Sequence, residues 1–183
     1  MANVRSLRPN VTREEATRHF TAGVANVARD LFRGRVRSIA ELYIPYRFFR
    51  VTVRSSGRRQ EQIFAIDAVD GSLDLFEFPA FPSDVQLYTV ETRNLLQAAF
   101  DVAESRERLV AKIRRIIFMH GFFRVRDLEI DAEPIPGELC VPYWVAFRGV
   151  NGRASITVLD AVRRRSEGGK VRQMVEAWLQ SAS

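Results

Sequence analysis

A six-residue phrase that occurs twice constrains this chain more than any other feature. Glu41-Leu42-Tyr43-Ile44-Pro45-Tyr46 returns as Glu138-Leu139-Cys140-Val141-Pro142-Tyr143, with four positions identical and a fifth exchanging one β-branched residue for another. Each copy leads into an aromatic-rich apolar run, then a polar or glycine turn, then a second apolar run ending in Asp-Ala-Val, at 63–69 and at 156–162. Self-similarity of this kind points to an internal duplication. The proline adds a second demand. It has no N–H to give a ladder, so each copy needs an edge, a bulge or a break at the same place.

The flanking elements follow from periodicity and punctuation. Thr12 and Glu15 form a capping box, and Ala16, Phe20, Val24, Val27 and Leu31 recur at helical spacing up to a stop at Gly34, which predicts a helix over Arg13–Arg33. Residues 36–54 read as extended and Ser55-Ser56-Gly57 as a turn. A strand over 60–69, an Asp70-Gly71 hairpin and a strand over 73–78 follow, and the prolines Pro79 and Pro82 then mark a boundary. Residues 85–90 read as a short strand and 93–120 as a helical stripe. That stripe runs through Leu95, Ala99, Val102, Leu109, Ile113 and Ile116, and the polar residues 103–106 divide it into two helices or bend it. Beyond it come a strand over 122–130, a loop over Pro134–Gly137, and strands over 139–150 and 154–163 joined by Asn151-Gly152. A final amphipathic helix covers 170–180. Hairpin-connected strands segregated from helices give an α+β fold. It divides into two tandem helix-plus-antiparallel-sheet units, residues 1–82 and 83–183, with the C-terminal helix in the second.

A long helix followed by meandering strands that close in Ile66-Asp67-Ala68-Val69-Asp70-Gly71 resembles the PepSY type of domain, which ends a hairpin on a similar phrase and often occurs in tandem. More broadly the layout is similar to cystatin-like folds, a helix on a curved sheet. In the second half Arg163 and Arg164 stand where Asp70 and Gly71 stand in the first. The resemblance implies a non-catalytic regulatory or binding module.

Composition narrows the function classes. Of 183 residues, 46% are hydrophobic and 27% charged, the balance of a soluble globular protein. No apolar run approaches the ~18 residues that span a bilayer. Met1–Asn10 is polar and basic with no signal-peptide core, so a cytoplasmic protein with no membrane partner is expected. The formal charge is +6, carried almost wholly by arginine, with Lys112 and Lys170 the only lysines. The arginines are dispersed along the chain rather than gathered into one footprint, which does not favour nucleic acid. Cys140, the single cysteine, sits in an apolar run as a small hydrophobe.

No cofactor or metal is expected. His19 and His120 lack a surrounding ligand set, and Asp67, Asp70 and Asp74 do not have the spacing of an EF-hand loop. Glu167-Gly168-Gly169-Lys170-Val171 has part of a phosphate-loop pattern. It lacks the first glycine and the Ser or Thr after the lysine, and it reads as a hinge before a helix.

The reading that results is a binding module for a protein or small-molecule ligand, with the cleft between the repeated strands as its surface and Tyr46, Arg47, Tyr143 and Trp144 as its binding residues. An alternative is an enzyme with a cavity between helix and curved sheet, marked by a polar pocket holding His120, Asp67 or Asp160. Another is arginine-mediated nucleic-acid binding, marked by steep salt dependence. Met174 and Trp178 of the last helix offer either a homodimer surface or closure of the chain's own core.

Overall fold

In the computed structural model, which describes residues 1–22, 34–55, 57–119, 127–150 and 153–181, the elements in chain order are β1 (Ala2–Leu7), α1 (Arg13–Thr21), β2 (Val36–Ser55), β3 (Arg58–Asp67), β4 (Phe76–Phe78), a 3₁₀ turn (Asp84–Gln86), β5 (Leu87–Thr92), α2 (Val102–Met119), β6 (Glu129–Val150), β7 (Arg153–Asp160), β8 (Arg165–Ser166) and α3 (Gly169–Ser181). The fold is mixed α+β. All eight strands belong to one sheet in the order β4-β3-β2-β6-β1-β5, with β7 paired to β6 and β8 to β7. Among the described residues no helix is long and apolar enough to cross a membrane.

Two long strands, β2 of 20 residues and β6 of 22, carry the sheet. They run antiparallel with Ile44 opposite Val141, Tyr46 opposite Leu139 and Leu42 opposite Tyr143. The repeated phrase therefore pairs with its own second copy. Each long strand folds back on a hairpin mate, Tyr46 facing Asp67 of β3 and Tyr143 facing Asp160 of β7.

The prolines sit inside continuous strands, and the reason is a change of partner. On the outer edge of β2, the Tyr43 N–H donates to Asn94 O (2.8 Å) and Leu96 N–H to Tyr43 O (3.0 Å). Two residues on, Pro45 O accepts from Ala68 N–H at the head of the β3 ladder (2.9 Å). On β6, Cys140 bridges Ser6 of β1, and Pro142 O accepts from Ala161 N–H (3.2 Å). Each missing N–H thus falls where the strand leaves one neighbour for the next, and no ladder bond is lost.

Strand alternation sorts side chains onto two faces. Leu42, Ile44, Tyr46, Phe48, Leu139, Val141, Tyr143 and Val145 share one face and form the main core with Val171, Met174 and Val175 of α3. Trp178 and Leu179 pack against that core, so α3 closes the chain's own interior. The opposite face is covered twice. Ala16 and Phe20 of α1 pack on Trp144, Ala146, Leu159 and Ala161, while Leu109 and Ile113 of α2 pack on Phe49, Val51, Ile66 and Ala132. The helix that precedes β2 therefore lies over the β6–β7 hairpin, and the helix that precedes β6 lies over β2 and β3. Buried Arg148 ties the end of α1 to the return of the chain by donating to Phe20 O and Gly34 O.

Several local expectations change. Residues 2–7, read only as polar and basic, form a strand that pairs with β5 along its length and with β6 at Ser6; Asn3 and Arg5 stay exposed while Ser6 and Leu7 are buried. The helical stripe over 93–120 begins only at Val102, and the polar residues 103–106 are its first turn. Asp101 and Glu104 form a capping box there, with Glu104 N–H on Asp101 Oδ1 (2.8 Å) and Asp101 N–H on Glu104 Oε2 (3.1 Å). Pro134–Gly137 is no loop. It is a bulge in the unbroken β6, where the register with β2 slips between Arg47 and Phe49 and Gly137 takes φ +96°. The expected helical turns at 23–33, His120, Ser56 and the Asn151-Gly152 turn lie outside the described residues.

The loop after β3 rests on Asp67, whose carboxylate accepts N–H bonds from Asp70 (3.0 Å), Gly71 (2.8 Å) and Leu73 (2.9 Å). Gly71 has φ +63°, and a Cβ there would stand 2.9 Å from Cδ of Arg108. Gly71→Ala should lower unfolding free energy by about 1–2 kcal/mol in urea melts. An unchanged midpoint would show that neither the backbone conformation nor the contact matters.

Candidate functional site

The centre of the sheet is polar but closed. The Tyr46 and Tyr143 hydroxyls meet at 2.9 Å, both side chains are fully buried, and Tyr46 sets its ring edge-on to Phe76 at 5.2 Å. Burial, more than any neighbour, pushes both phenols far above the ordinary tyrosine value. Asp160 accepts N–H bonds from Val162 and Arg163 (both 2.8 Å) and pairs with the Arg163 guanidinium at 2.6 Å. Asp67 is raised above the usual carboxylate value by burial, which the N–H bonds to its oxygens oppose. Neither aspartate lines any of the three surface depressions described below. Their local role is to organise the turns after β3 and β7.

The other two expected binding residues, Trp144 and Arg47, occupy corresponding places. Each is the residue after the tyrosine of its phrase. Trp144 Nε1 donates to Val11 O (2.9 Å), the carbonyl just before the cap Thr12 of α1. Arg47 Nη2 donates to Phe100 O (2.7 Å), the carbonyl just before the cap Asp101 of α2. Each side chain reaches the start of a helix from the sheet beneath it. The outcome differs: Trp144 is sealed under α1, while the Arg47 side chain stays 22% exposed.

Beside Arg47 lies a groove of about 420 Å³. Val102 in the first turn of α2 forms one wall, the β6 bulge from Pro134 to Glu138 forms the other, and Phe48 and Phe49 lie beneath. The bulge accounts for the opening: its extra residues leave the ladder opposite Arg47–Phe49 and bend the strand. The lining is apolar apart from one arginine and one glutamate. Their separation of 3.8 Å marks a loose pair, and the buried Arg47 Nε has no hydrogen-bond partner.

Two other depressions are less site-like. One of about 590 Å³ is open and lined by a single helix, through Ala111, Arg114, Arg115, Phe118 and Met119. The second, about 210 Å³, lies between α2 and the sheet around Val51, Phe64 and Ile113. Cys140 is buried and its thiol is pushed up to about 12 by burial, so it is protonated at neutral pH and unsuited to act as a nucleophile.

The structure thus joins Tyr46 to Tyr143 inside the core, and places Arg47 in a groove and Trp144 under a helix. Sequence reasoning missed Glu138, Val102 and the 134–137 wall. Two prolines and a glycine just before the second copy of the phrase were the available signal for a bulge.

All four tyrosines are raised, with burial as the main cause for each. In the unfolded chain they ionise near ~10. Above that pH the unfolded state holds fewer protons than the folded one, so stability present below pH ~10 is lost as pH rises. Absorbance at tyrosinate wavelengths should stay flat past that point and then rise together with loss of circular dichroism. Titration of several tyrosines in the still-folded protein would contradict this.

Comparison with known proteins finds no family model, no curated protein and no solved structure that matches this chain.

Proposed function

We propose that this chain is a non-catalytic ligand-binding module made of two copies of one unit, 1–82 and 83–183, and that the groove beside Arg47 receives an apolar ligand carrying one anionic group. Support for the duplication comes from corresponding contacts. The phrase copies pair about Ile44 and Val141, Tyr43 and Cys140 have parallel bridges to Leu95 and Ser6, and both prolines accept from the Ala of Asp-Ala-Val. Capping boxes begin α1 and α2 at Thr12 and Asp101.

The observation that carries the functional reading is the difference between two corresponding positions. An indole fills one and a helix seals it. At the other, an arginine with an unmet donor stands at an open apolar groove of ligand size. A carboxylate on an apolar body suits this groove: its tail covers Val102, Ile135 and Pro136, and its head takes the half-buried Arg47 guanidinium from the loosely held Glu138. Tyr46, Tyr143 and Trp144 act as the frame that fixes Arg47.

Calorimetric titration with decanoate and with decanol tests this. Decanoate should bind more tightly than decanol. Arg47→Gln should weaken decanoate roughly tenfold or more, since a charge-assisted hydrogen bond contributes about 1.5–3 kcal/mol. Glu138→Gln, which removes the competing acid, should tighten decanoate several-fold. Equal affinity for acid and alcohol, or weaker binding in Glu138→Gln, would refute the reading.

A further inference from the structure

The loop from Asp70 to Leu75 is gripped by cations from three distant parts of the chain. Its N–H groups turn inward to the Asp67 carboxylate, and four of its carbonyls accept from basic side chains. Arg108 of α2 donates to Asp70 O (3.3 Å), Lys170 of α3 to Ser72 O (3.2 Å), Lys112 of α2 to Leu73 O, and Arg163 to Leu75 O (3.4 Å). Arg163 has carboxylate partners in Asp160 and Glu167, and Arg165 takes Asp74 at 2.9 Å and Glu167 at 3.2 Å.

Arg108, Lys112 and Lys170 differ from these. None of them enters an ion pair with a carboxylate among the described residues. The acids around them are engaged elsewhere: Asp67 with backbone N–H groups, Asp70 with Ser72 N–H (2.7 Å), Asp74 and Glu167 with arginines. A carbonyl leaves the charge of its donor intact. A lysine has three N–H donors and an arginine five, so each of these side chains keeps free donors after its loop contact.

Two further facts set this cluster apart from ordinary surface charge. Lys112 and Lys170 are the only lysines among 28 basic residues, and from separate helices they donate to adjacent carbonyls of one loop, Leu73 O and Ser72 O. Lys112 is half-buried; its ammonium is pushed down chiefly by burial, with Lys170 acting in the same direction and the nearby aspartates opposing. A Cβ on Gly168 or Gly169, next to Lys170, would meet nothing within 4 Å, so approach from that side is open.

We propose that Arg108, Lys112 and Lys170 together form a binding site for the phosphate group of a small soluble ligand, separate from the groove at Arg47. Three cations held by one loop, none of them in an ion pair with a carboxylate among the described residues, match a polyanionic group with several acceptor oxygens. The loop carbonyls hold the three heads in place before the ligand arrives. Stacking of the Arg108 guanidinium on the Phe100 ring, 3.9 Å from its centroid, fixes the third.

The test is calorimetric titration of the full chain with inorganic pyrophosphate and with ATP, in buffer of constant ionic strength. Pyrophosphate should bind, and Lys170→Gln and Arg108→Gln should each weaken it at least tenfold. Arg172→Gln, which removes a neighbouring α3 cation paired with Glu176, should leave it unchanged. Lys170→Gln, which removes one exposed hydrogen bond to Ser72 O, should keep the wild-type melting temperature without ligand. ATP binding equal to pyrophosphate identifies the phosphates alone as the recognised group, and tighter ATP binding adds contacts from a nucleoside; both support the site. No binding to the intact protein, or the same loss in Arg172→Gln as in Lys170→Gln, would overturn it.

Discussion

Everything in this molecule hangs on the antiparallel pairing of β2 with β6 at the register that puts Ile44 opposite Val141. A shift of one residue would turn the apolar set of one strand out of the main core, either Leu42, Ile44 and Tyr46 with Arg47 brought in, or Val141 and Tyr143 with Trp144 brought in. The register also brings the two tyrosine hydroxyls within hydrogen-bonding distance. Each supplies the partner that the other, buried away from water, requires. The central bond is therefore both a product of the register and a penalty against leaving it.

From that pairing the remaining elements follow. The outer edges of β2 and β6 are each shared between a parallel segment and a hairpin mate, and the prolines sit where the share changes. The two hairpins are covered by helices that arrive from the far side, α1 over β6–β7 and α2 over β2–β3. Arg47 and Trp144 then fall under the helix starts as a consequence of where their strands lie. One site is closed by an indole and the other left open beside a bulge, so asymmetry enters a nearly regular frame at the place proposed for ligand. The loop gripped by Arg108, Lys112 and Lys170 lies at the end of β3, where Asp67 turns the backbone N–H groups inward.

How much of this could be read beforehand depends on how local each signal is. The Thr12–Glu15 box, the apolar and aromatic runs of β2, β3 and β7 and the apolar side of α3 are short-range patterns, and they gave the α+β class and most strands. Asp70-Gly71, read as a hairpin, lies instead in the longer loop between β3 and β4. The Asp101–Glu104 box was hidden because Leu95 and Ala99 continue the helical period upstream, where a bridge to Tyr43 holds the chain extended. β1 was missed because Val4 and Leu7 are its only large apolar residues, and its pairing to β5 and β6 is long-range. The 134–137 bulge read as a loop because Pro and Gly punctuate both, and only the long ladder on either side distinguishes them. Of the groove only Arg47 and the Pro-Gly punctuation of its wall were visible locally, and the assembly of the cation cluster was not. Arg47 meets Glu138, and Lys112 and Lys170 reach one loop, only after strands and helices far apart in sequence have packed.

The central pairing is tested most directly by a double-mutant cycle on Tyr46→Phe and Tyr143→Phe, read by urea unfolding. Each single change strands one buried hydroxyl, at a cost of about 1–3 kcal/mol, whereas the double change removes both together. The account predicts that the double variant is less destabilised than the sum of the singles by about 1 kcal/mol or more. Additive losses would mean that the two hydroxyls do not meet, and that β2 and β6 are not held in this register.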